Sequence, residues 1–141
     1  MPETVDYIDH VSILVRSIDA SLGYYRDQLQ LPIVSDEHLP DLGVRLVLLD
    51  AGRTFLQLVE PTADGPLKND LDRSGECLHH ICFAVKDVDT TIARLSPAQP
   101  VKVSVGGRGR RTAFLPSSPN GVRTELTEIE PYQPQSREGV S

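Results

Sequence analysis

Ile8-Asp9-His10-Val11-Ser12-Ile13-Leu14-Val15-Arg16-Ser17-Ile18-Asp19 returns seventy positions later as Leu78-His79-His80-Ile81-Cys82-Phe83-Ala84-Val85-Lys86-Asp87-Val88-Asp89. Apolar falls on apolar, Asp19 on Asp89, and His10 on His80. Each copy reads as an aliphatic strand followed by a polar helix cap. A repeat on this scale predicts two small units, each too small for a good core alone, that pack together. A histidine kept at the same point of both strands can bring two imidazoles to one pseudo-symmetric centre.

Working outward from the first copy, Tyr7 to Val15 is the strand and Ser17 or Asp19 the helix N-cap. Ile18, Leu22, Tyr25 and Leu29 recur at helical spacing and predict one buried face, ended by Leu31-Pro32. Ile33 to Glu37 reads as a short edge strand, and Val44 to Asp50 and Thr54 to Glu60 as two strands joined at Ala51-Gly52. Pro61 to Gly75 is polar and carries two Pro and two Gly, so it reads as a linker with one helical turn near Leu67 to Leu71. The second copy repeats the order. Leu78 to Val85 is a strand. A helix capped by Asp87 or Asp89 follows, with Val88, Ile92 and Leu95 inward; then come strands over Val101 to Val105, Thr112 to Leu115 and Val122 to Ile129.

The expected fold class is therefore α+β: a single domain over 1–141, with module one at about 6–61, a linker at 62–75, module two at about 76–130 and a polar, fraying tail at 131–141. Strands curling around a shared concave face would form a half-open, mostly antiparallel, barrel-like sheet, with the ligand pocket on that face.

Bulk properties narrow the function. At 141 residues, with 39% hydrophobic and 24% charged residues and no Trp, the chain has the composition of a soluble globular protein. No apolar run approaches the roughly 20 residues needed to span a bilayer, and Met1 to Asp6 lacks the features of a signal peptide. A cytoplasmic protein without a membrane partner is expected. A net charge of -6 would repel a phosphate backbone, so nucleic acid is not expected as a partner either. Cys77 and Cys82 form neither a Cys-x-x-Cys motif nor a disulfide framework, and Cys82 reads as a small buried hydrophobe. The local basic stretch Gly106-Gly107-Arg108-Gly109-Arg110-Arg111 has two readings: a solvated hairpin turn, or an anion-binding loop in which Arg108, Arg110 and Arg111 hold the substrate.

Alternate side chains of a strand share a face. His10 then lies with Ile8, Ser12 and Leu14, and His80 with Leu78, Cys82 and Ala84. One histidine on such a face is ordinarily a satisfied core residue; two at matching repeat positions point to a shared site. Leu56-Gln57-Leu58-Val59-Glu60 likewise matches Thr124-Glu125-Leu126-Thr127-Glu128, pairing Gln57 with Glu125. Gln57 alone would be an outward-facing strand residue, whereas a carboxylate among Val122, Leu126 and Ile129 is costly unless paired or bound to metal. As a set, His10, Gln57, His80 and Glu125 offer two nitrogens and two oxygens to a divalent ion such as Co, Mn, Ni, Zn or Fe. Strict alternation excludes His79 as a ligand, because it should point away from His80. It also sends Glu60 and Glu128 to the opposite face, where solvent is the default. His38 and Asp41 are placed in a loop that could border the pocket. No Gly-x-Ser-x-Gly, phosphate loop or dinucleotide fingerprint is present.

Five stretches together resemble the vicinal oxygen chelate (glyoxalase/bleomycin resistance/dioxygenase) superfamily, most closely its methylmalonyl-CoA epimerases. They are Ile8-Asp9-His10-Val11, Gly43-Val44-Arg45, Leu56-Gln57-Leu58-Val59-Glu60-Pro61, Leu78-His79-His80-Ile81-Cys82-Phe83 and Gly121-Val122-Arg123-Thr124-Glu125-Leu126. The resemblance runs from about Ile8 to Glu128. It implies paired βαβββ modules and a metal held by His10, Gln57, His80 and Glu125. Glutamine at the second ligand position resembles epimerases of this type, where glyoxalase I enzymes generally carry glutamate. The implied activity is a metal-dependent isomerase that removes the proton α to a thioester through a metal-stabilised enolate, with Glu125 as one catalytic acid/base. The implied partners are a small-molecule substrate of the acyl-CoA class and a second copy in a homodimer.

Two departures from the pattern stand out. Some bacterial epimerases resembling this chain carry a second catalytic glutamate three residues after the glycine of the Gly-Val motif, and that place is Leu46. Their His-Pro-Lys is replaced by Pro116-Ser117-Ser118. Alternative members of the superfamily therefore stay open: a glyoxalase-like lyase, an iron-dependent dioxygenase built on His10, His80 and Glu125, or a small-molecule-binding resistance protein. Retention of all four ligand types argues against the last.

Overall fold

The computed structural model describes residues 5–134; the end of the expected tail lies outside the described residues. The first half runs β1 (Tyr7–Leu14), α1 (Ile18–Leu22), β2 (Ile33–Leu39), β3 (Val44–Asp50) and β4 (Phe55–Pro61). After α2 (Pro66–Ser74) the second half runs β5 (Cys77–Val85), α3 (Val88–Leu95), β6 (Val103–Val105), β7 (Arg111–Phe114) and β8 (Thr124–Glu128). The eight strands form one sheet in the order β2-β3-β4-β1-β5-β8-β7-β6. Each half is antiparallel except where its first strand meets its last, β1 with β4 and β5 with β8, which pair parallel. The halves join antiparallel through β1 and β5. This is the mixed α+β, curled half-barrel expected from the repeat. Among the described residues no helix is long and apolar enough to cross a membrane.

Helices α1 and α3 cover the convex side of their own halves, while α2 borders the concave side through Pro66, Leu67 and Asp70. Ile18 and Leu22 of α1 pack with Val15, Val47, Leu49 and Leu58, while Val88 of α3 packs with Val85, Ala113 and Leu126. Burying each such aliphatic side chain contributes about 1.5–3 kcal/mol. Ser17 and Asp87 are the two N-caps, accepting from Ala20 N and Thr90 N respectively.

Several expectations are corrected. After α1 the chain continues as a π-helical stretch over Gly23–Gln28. Its wider i→i+5 turns, such as Leu29 N–H to Tyr24 O at 2.9 Å, shift the helical phase. Leu29 is therefore exposed, and Leu31 packs on the core instead. In α3 the buried place goes to Thr91, and Leu95, in the last turn before left-handed Ser96, is exposed. The linker holds a full nine-residue helix, α2, with Pro66 in its first turn. Glu60 and Glu128 do leave for the convex face, but not for solvent. Glu60 Oε1 accepts from Ile18 N at 2.7 Å and Glu128 Oε2 from Val88 N at 2.9 Å. Each carboxylate thus satisfies an unpaired N–H in the first turn of its helix.

The alternation of β1 and β5 is broken at two places. Ile8 and His10 face Phe83 and Cys82, so Asp9 is an extra residue on β1; Ser12 and Ile13 face His80 and Leu78, so His79 is an extra residue on β5. Asp9 and His79 are repeat equivalents, and both are β-bulges. Each bulge turns two consecutive side chains inward: Asp9, His10, His79 and His80 are all buried, while Ile8 and Leu78 are exposed. The faces assigned to Ile8, Leu78 and His79 by strict alternation are therefore wrong, because a bulge inserts one residue out of phase.

Candidate metal centre

The concave side of the sheet encloses a cavity of about 610 Å³. His10 from β1, His80 from β5, Gln57 from β4 and Glu125 from β8 all border it. These are the four central strands of the curled sheet, and the parallel pairings set β4 beside β1 and β8 beside β5. Leu46, Leu48, Phe114 and Leu115 give the wall its apolar character.

His10 Nε2 lies 3.4 Å and His80 Nε2 3.1 Å from the same oxygen, Glu125 Oε1. The ligand atoms of the three residues lie within 4.8 Å of one another. Adjacent ligands around an ion bonded at about 2.1 Å stand roughly 3 Å apart, so the spacing suits one shared cation. Gln57 accepts from Ser12 Oγ through Oε1 at 2.9 Å. An amide oxygen has a second lone pair for an ion.

The protonation pattern follows from the bulges. His10 Nδ1 lies 2.7 Å from Asp9 Oδ2, so it carries the hydrogen. His79 Nε2 faces the Asp70 carboxylate at 3.2 Å and must donate to it. In a neutral ring, His79 Nδ1 then accepts, and its contact at 2.8 Å makes His80 Nδ1 the donor. Neutral His10 and His80 consequently turn bare lone pairs on Nε2 toward Glu125. Both Nε2 atoms are buried and make no hydrogen bond of acceptable geometry among the described residues. Two orphaned nitrogens beside a carboxylate oxygen are a donor set that a divalent cation satisfies, and the residues present fit such an ion.

A proton on either Nε2 competes with a cation for the same place, because only a protonated imidazole can donate to Glu125 and lend it positive charge. Burial alone would raise the Glu125 carboxyl, but hydrogen bonds and charge from the two imidazoles outweigh it and hold its pKa well below the usual carboxylate range. Burial disfavours a charged His10, yet its contacts with Asp9 and Glu125 prevail and raise its pKa. Burial also opposes ionisation of Asp9, and the hydrogen bonds to His10 and Arg108 reverse it, so its pKa is lowered. His79 moves down, chiefly through burial, with Asp70 offsetting only part. A second trio, Asp9, His10 and Cys82, also clusters. It suits a metal less well: His10 Nδ1 is already engaged by Asp9, and burial pushes the Cys82 thiol far up, keeping it neutral.

The arginines divide. Arg108 borders the cavity, but its guanidinium pairs with Asp9. Arg110 Nη1 stands 3.6 Å from Asp9 Oδ1, off the cavity wall. Arg111 is bound to Asp89 at 2.9 Å and Glu128 at 3.4 Å beside the start of α3. The loop's basic charge is therefore spent on carboxylates of the same chain, and Arg111 does not reach the cavity. His38 and Asp41 are not on the cavity wall, and His38 lies in β2 rather than in a loop. The residues that alternation missed are Asp9, His79 and Asp70, which act on the imidazoles from behind. For Asp9 and His79 the signal was the repeat itself, since Asp9-His10 and His79-His80 are equivalent dipeptides; Asp70, in the linker helix, had none.

Residues 7–126 match the Glyoxalase/Bleomycin resistance protein/Dioxygenase superfamily. An uncharacterized Bacillus subtilis protein, YqjC, is 32% identical over 127 residues, covering 86% of this chain and 91% of its own. The ethylmalonyl-CoA/methylmalonyl-CoA epimerase of Cereibacter sphaeroides is 28% identical over 130 residues, covering 86% and 97%. Among solved structures, a Streptomyces coelicolor methylmalonyl-CoA epimerase variant in complex with 2-nitronate-propionyl-CoA superposes with a TM-score of 0.77 at 34% identity, covering 88% of this chain and 97% of that one. The chain belongs to the glyoxalase/bleomycin resistance protein/dioxygenase superfamily.

Proposed function

We propose that this chain is a metal-dependent isomerase of the methylmalonyl-CoA epimerase type, which moves the proton α to the thioester of a small acyl-CoA. The observation that carries the reading is the pair of orphaned Nε2 atoms of His10 and His80 meeting at Glu125 on the wall of a cavity of about 610 Å³. The acyl-CoA epimerases among the relatives support the substrate class.

His10, His80 and Glu125, with Gln57 beside them, would hold the ion. Bound there, a divalent ion supplies Lewis acidity to the carboxylate and thioester oxygens of the substrate and favours loss of its α-proton. Asp9 and the His79–Asp70 pair keep both imidazoles in the tautomer that leaves Nε2 free. Leu46, Leu48 and Phe114 supply an apolar wall against which the acyl group would pack. Glu125, at the cavity edge with a side chain 12% exposed, is placed to take or return the proton on one face.

The test is metal analysis of the purified protein, followed by proton–deuterium exchange in heavy water with methylmalonyl-CoA as substrate. Exchange at the α-carbon that is abolished by chelation and restored by Co²⁺ is expected. Metal-loaded protein that exchanges nothing refutes the reading. A second reading has one favouring observation: His10, His80 and Glu125 also form the two-histidine, one-carboxylate set of iron oxygenases. Ferrous protein that consumes oxygen on a catechol would select it.

A further inference from the structure

We infer that Glu37 is a second catalytic acid/base of the cavity, working on the substrate face opposite Glu125. The inference rests on the epimerase reading. Two-base proton transfer needs carboxylates reaching one carbon from two sides, and the first half of the chain offers only Leu46 where relatives with that chemistry place a glutamate. Leu46 borders the cavity and cannot move a proton. Its cross-strand partner in the β2–β3 register is Glu37. Directly opposed residues of an antiparallel pair share a face, with Cβ atoms about 4.5–5.5 Å apart. Glu37 therefore delivers a carboxylate to the same stretch of cavity wall from the neighbouring strand.

Elimination points the same way. Among the described residues, the carboxylates bordering the cavity are Glu37, Asp70 and Glu125. Asp70 is committed to His79 at 3.2 Å, Arg73 at 2.6 Å and Arg123 at 3.3 Å. Glu37 makes one hydrogen bond among the described residues: Oε1 accepts from the backbone N–H of Arg108 at 2.7 Å. That bond links β2, one edge of the sheet, to the turn at Gly107–Gly109 between β6 and β7, at the other edge. It holds the carboxylate across the mouth of the cavity and leaves Oε2 available. Glu37 lies in one wing of the sheet and Glu125 in the other, so the two approach a bound substrate from opposite walls.

The step balances without an oxidant. One carboxylate takes the α-proton, and the C–H electron pair moves into the thioester as the enolate. The protonated carboxyl on the other wall gives its proton to the same carbon as the pair returns. The two glutamates end with their protonation exchanged, and solvent resets them.

The test compares the metal-loaded wild type, E37Q and E37Q/L46E in heavy water with each enantiomer of methylmalonyl-CoA. Glutamine keeps the acceptor for Arg108 N–H, so E37Q should fold, bind metal at wild-type stoichiometry and keep KM within about threefold. Interconversion should fall about 10²- to 10⁴-fold, while one enantiomer keeps exchanging its α-proton through Glu125. Adding L46E, which puts the carboxylate one strand inward on the same face, should recover at least about tenfold. E37Q that interconverts at the wild-type rate overturns the inference and leaves the epimerase reading standing, as does E37Q that loses exchange from both enantiomers with metal and KM intact. A wild type that exchanges neither enantiomer overturns both.

Discussion

Asp9 is the most consequential residue outside the proposed ligand set, and Asp9→Asn isolates what its charge does. The side chain is buried and meets three groups at once: His10 Nδ1 at 2.7 Å, the Arg108 guanidinium, and Arg110 Nη1 at 3.6 Å. Asparagine keeps the shape and can still accept from His10 through its carbonyl, but it removes the counter-charge of two arginines. Breaking a fully buried ion pair by removing one partner costs about 3–5 kcal/mol. Both arginine side chains here are 19% exposed and can turn partly to water, so a cost of about 2 kcal/mol is expected. For a domain of this size that lowers Tm by about 6 °C. The same change should weaken divalent metal binding about 10- to 100-fold, because the imidazole behind Nε2 loses its anionic support. Urea denaturation and calorimetric titration with Co²⁺ measure the two effects separately. Asp19→Asn is the control, since Asp19 pairs with Arg45 on the surface with 79% of its side chain exposed; it should leave both nearly unchanged. An Asp9→Asn protein with wild-type stability and wild-type metal affinity would show that the bulged dipeptide is mere packing and would refute the coupling between Asp9 and the imidazole.

Two further outcomes test the helix starts. Glu60→Ala leaves the buried Ile18 N–H without its acceptor and should cost about 1–2 kcal/mol by urea denaturation. Asp87 caps α3, and its pKa is lowered, first by the Thr90 backbone N–H. A depressed carboxyl stabilises the fold above its unfolded pKa and loses that contribution as pH falls through the folded value. Asp87→Ala should therefore cost about 1 kcal/mol at pH 7, and the gap to wild type should close below about pH 4, as followed by denaturation at stepped pH.

Much of the architecture was legible before any coordinates. The repeat of Ile8–Asp19 in Leu78–Asp89 predicts two strand–helix units, and aliphatic runs such as Val44–Asp50 are local signals of strand that need no partner to be read. The matching positions of His10 and His80, and of Gln57 and Glu125, named the groups that the cavity brings together. Duplication makes this possible, because symmetry carries information over seventy residues that local propensity cannot.

Tertiary structure decided what depends on pairing. Period-two alternation is a rule for an undisturbed strand, and only the register between β1 and β5 exposes Asp9 and His79 as inserted residues that turn inward beside His10 and His80. Helix docking gave Glu60 and Glu128 their N–H partners, which no strand pattern encodes. The arginines of the glycine-rich turn looked free along the chain; folding set Arg108 against Asp9, whose buried carboxylate is costly without a partner, and placed Arg111 beside Asp89 and Glu128 at the start of α3. Glu37 likewise stands nine residues from Leu46 in sequence and directly across from it in the sheet. Composition and repeat thus determined which groups are present and in which half. Strand register and curvature determined which of them face each other.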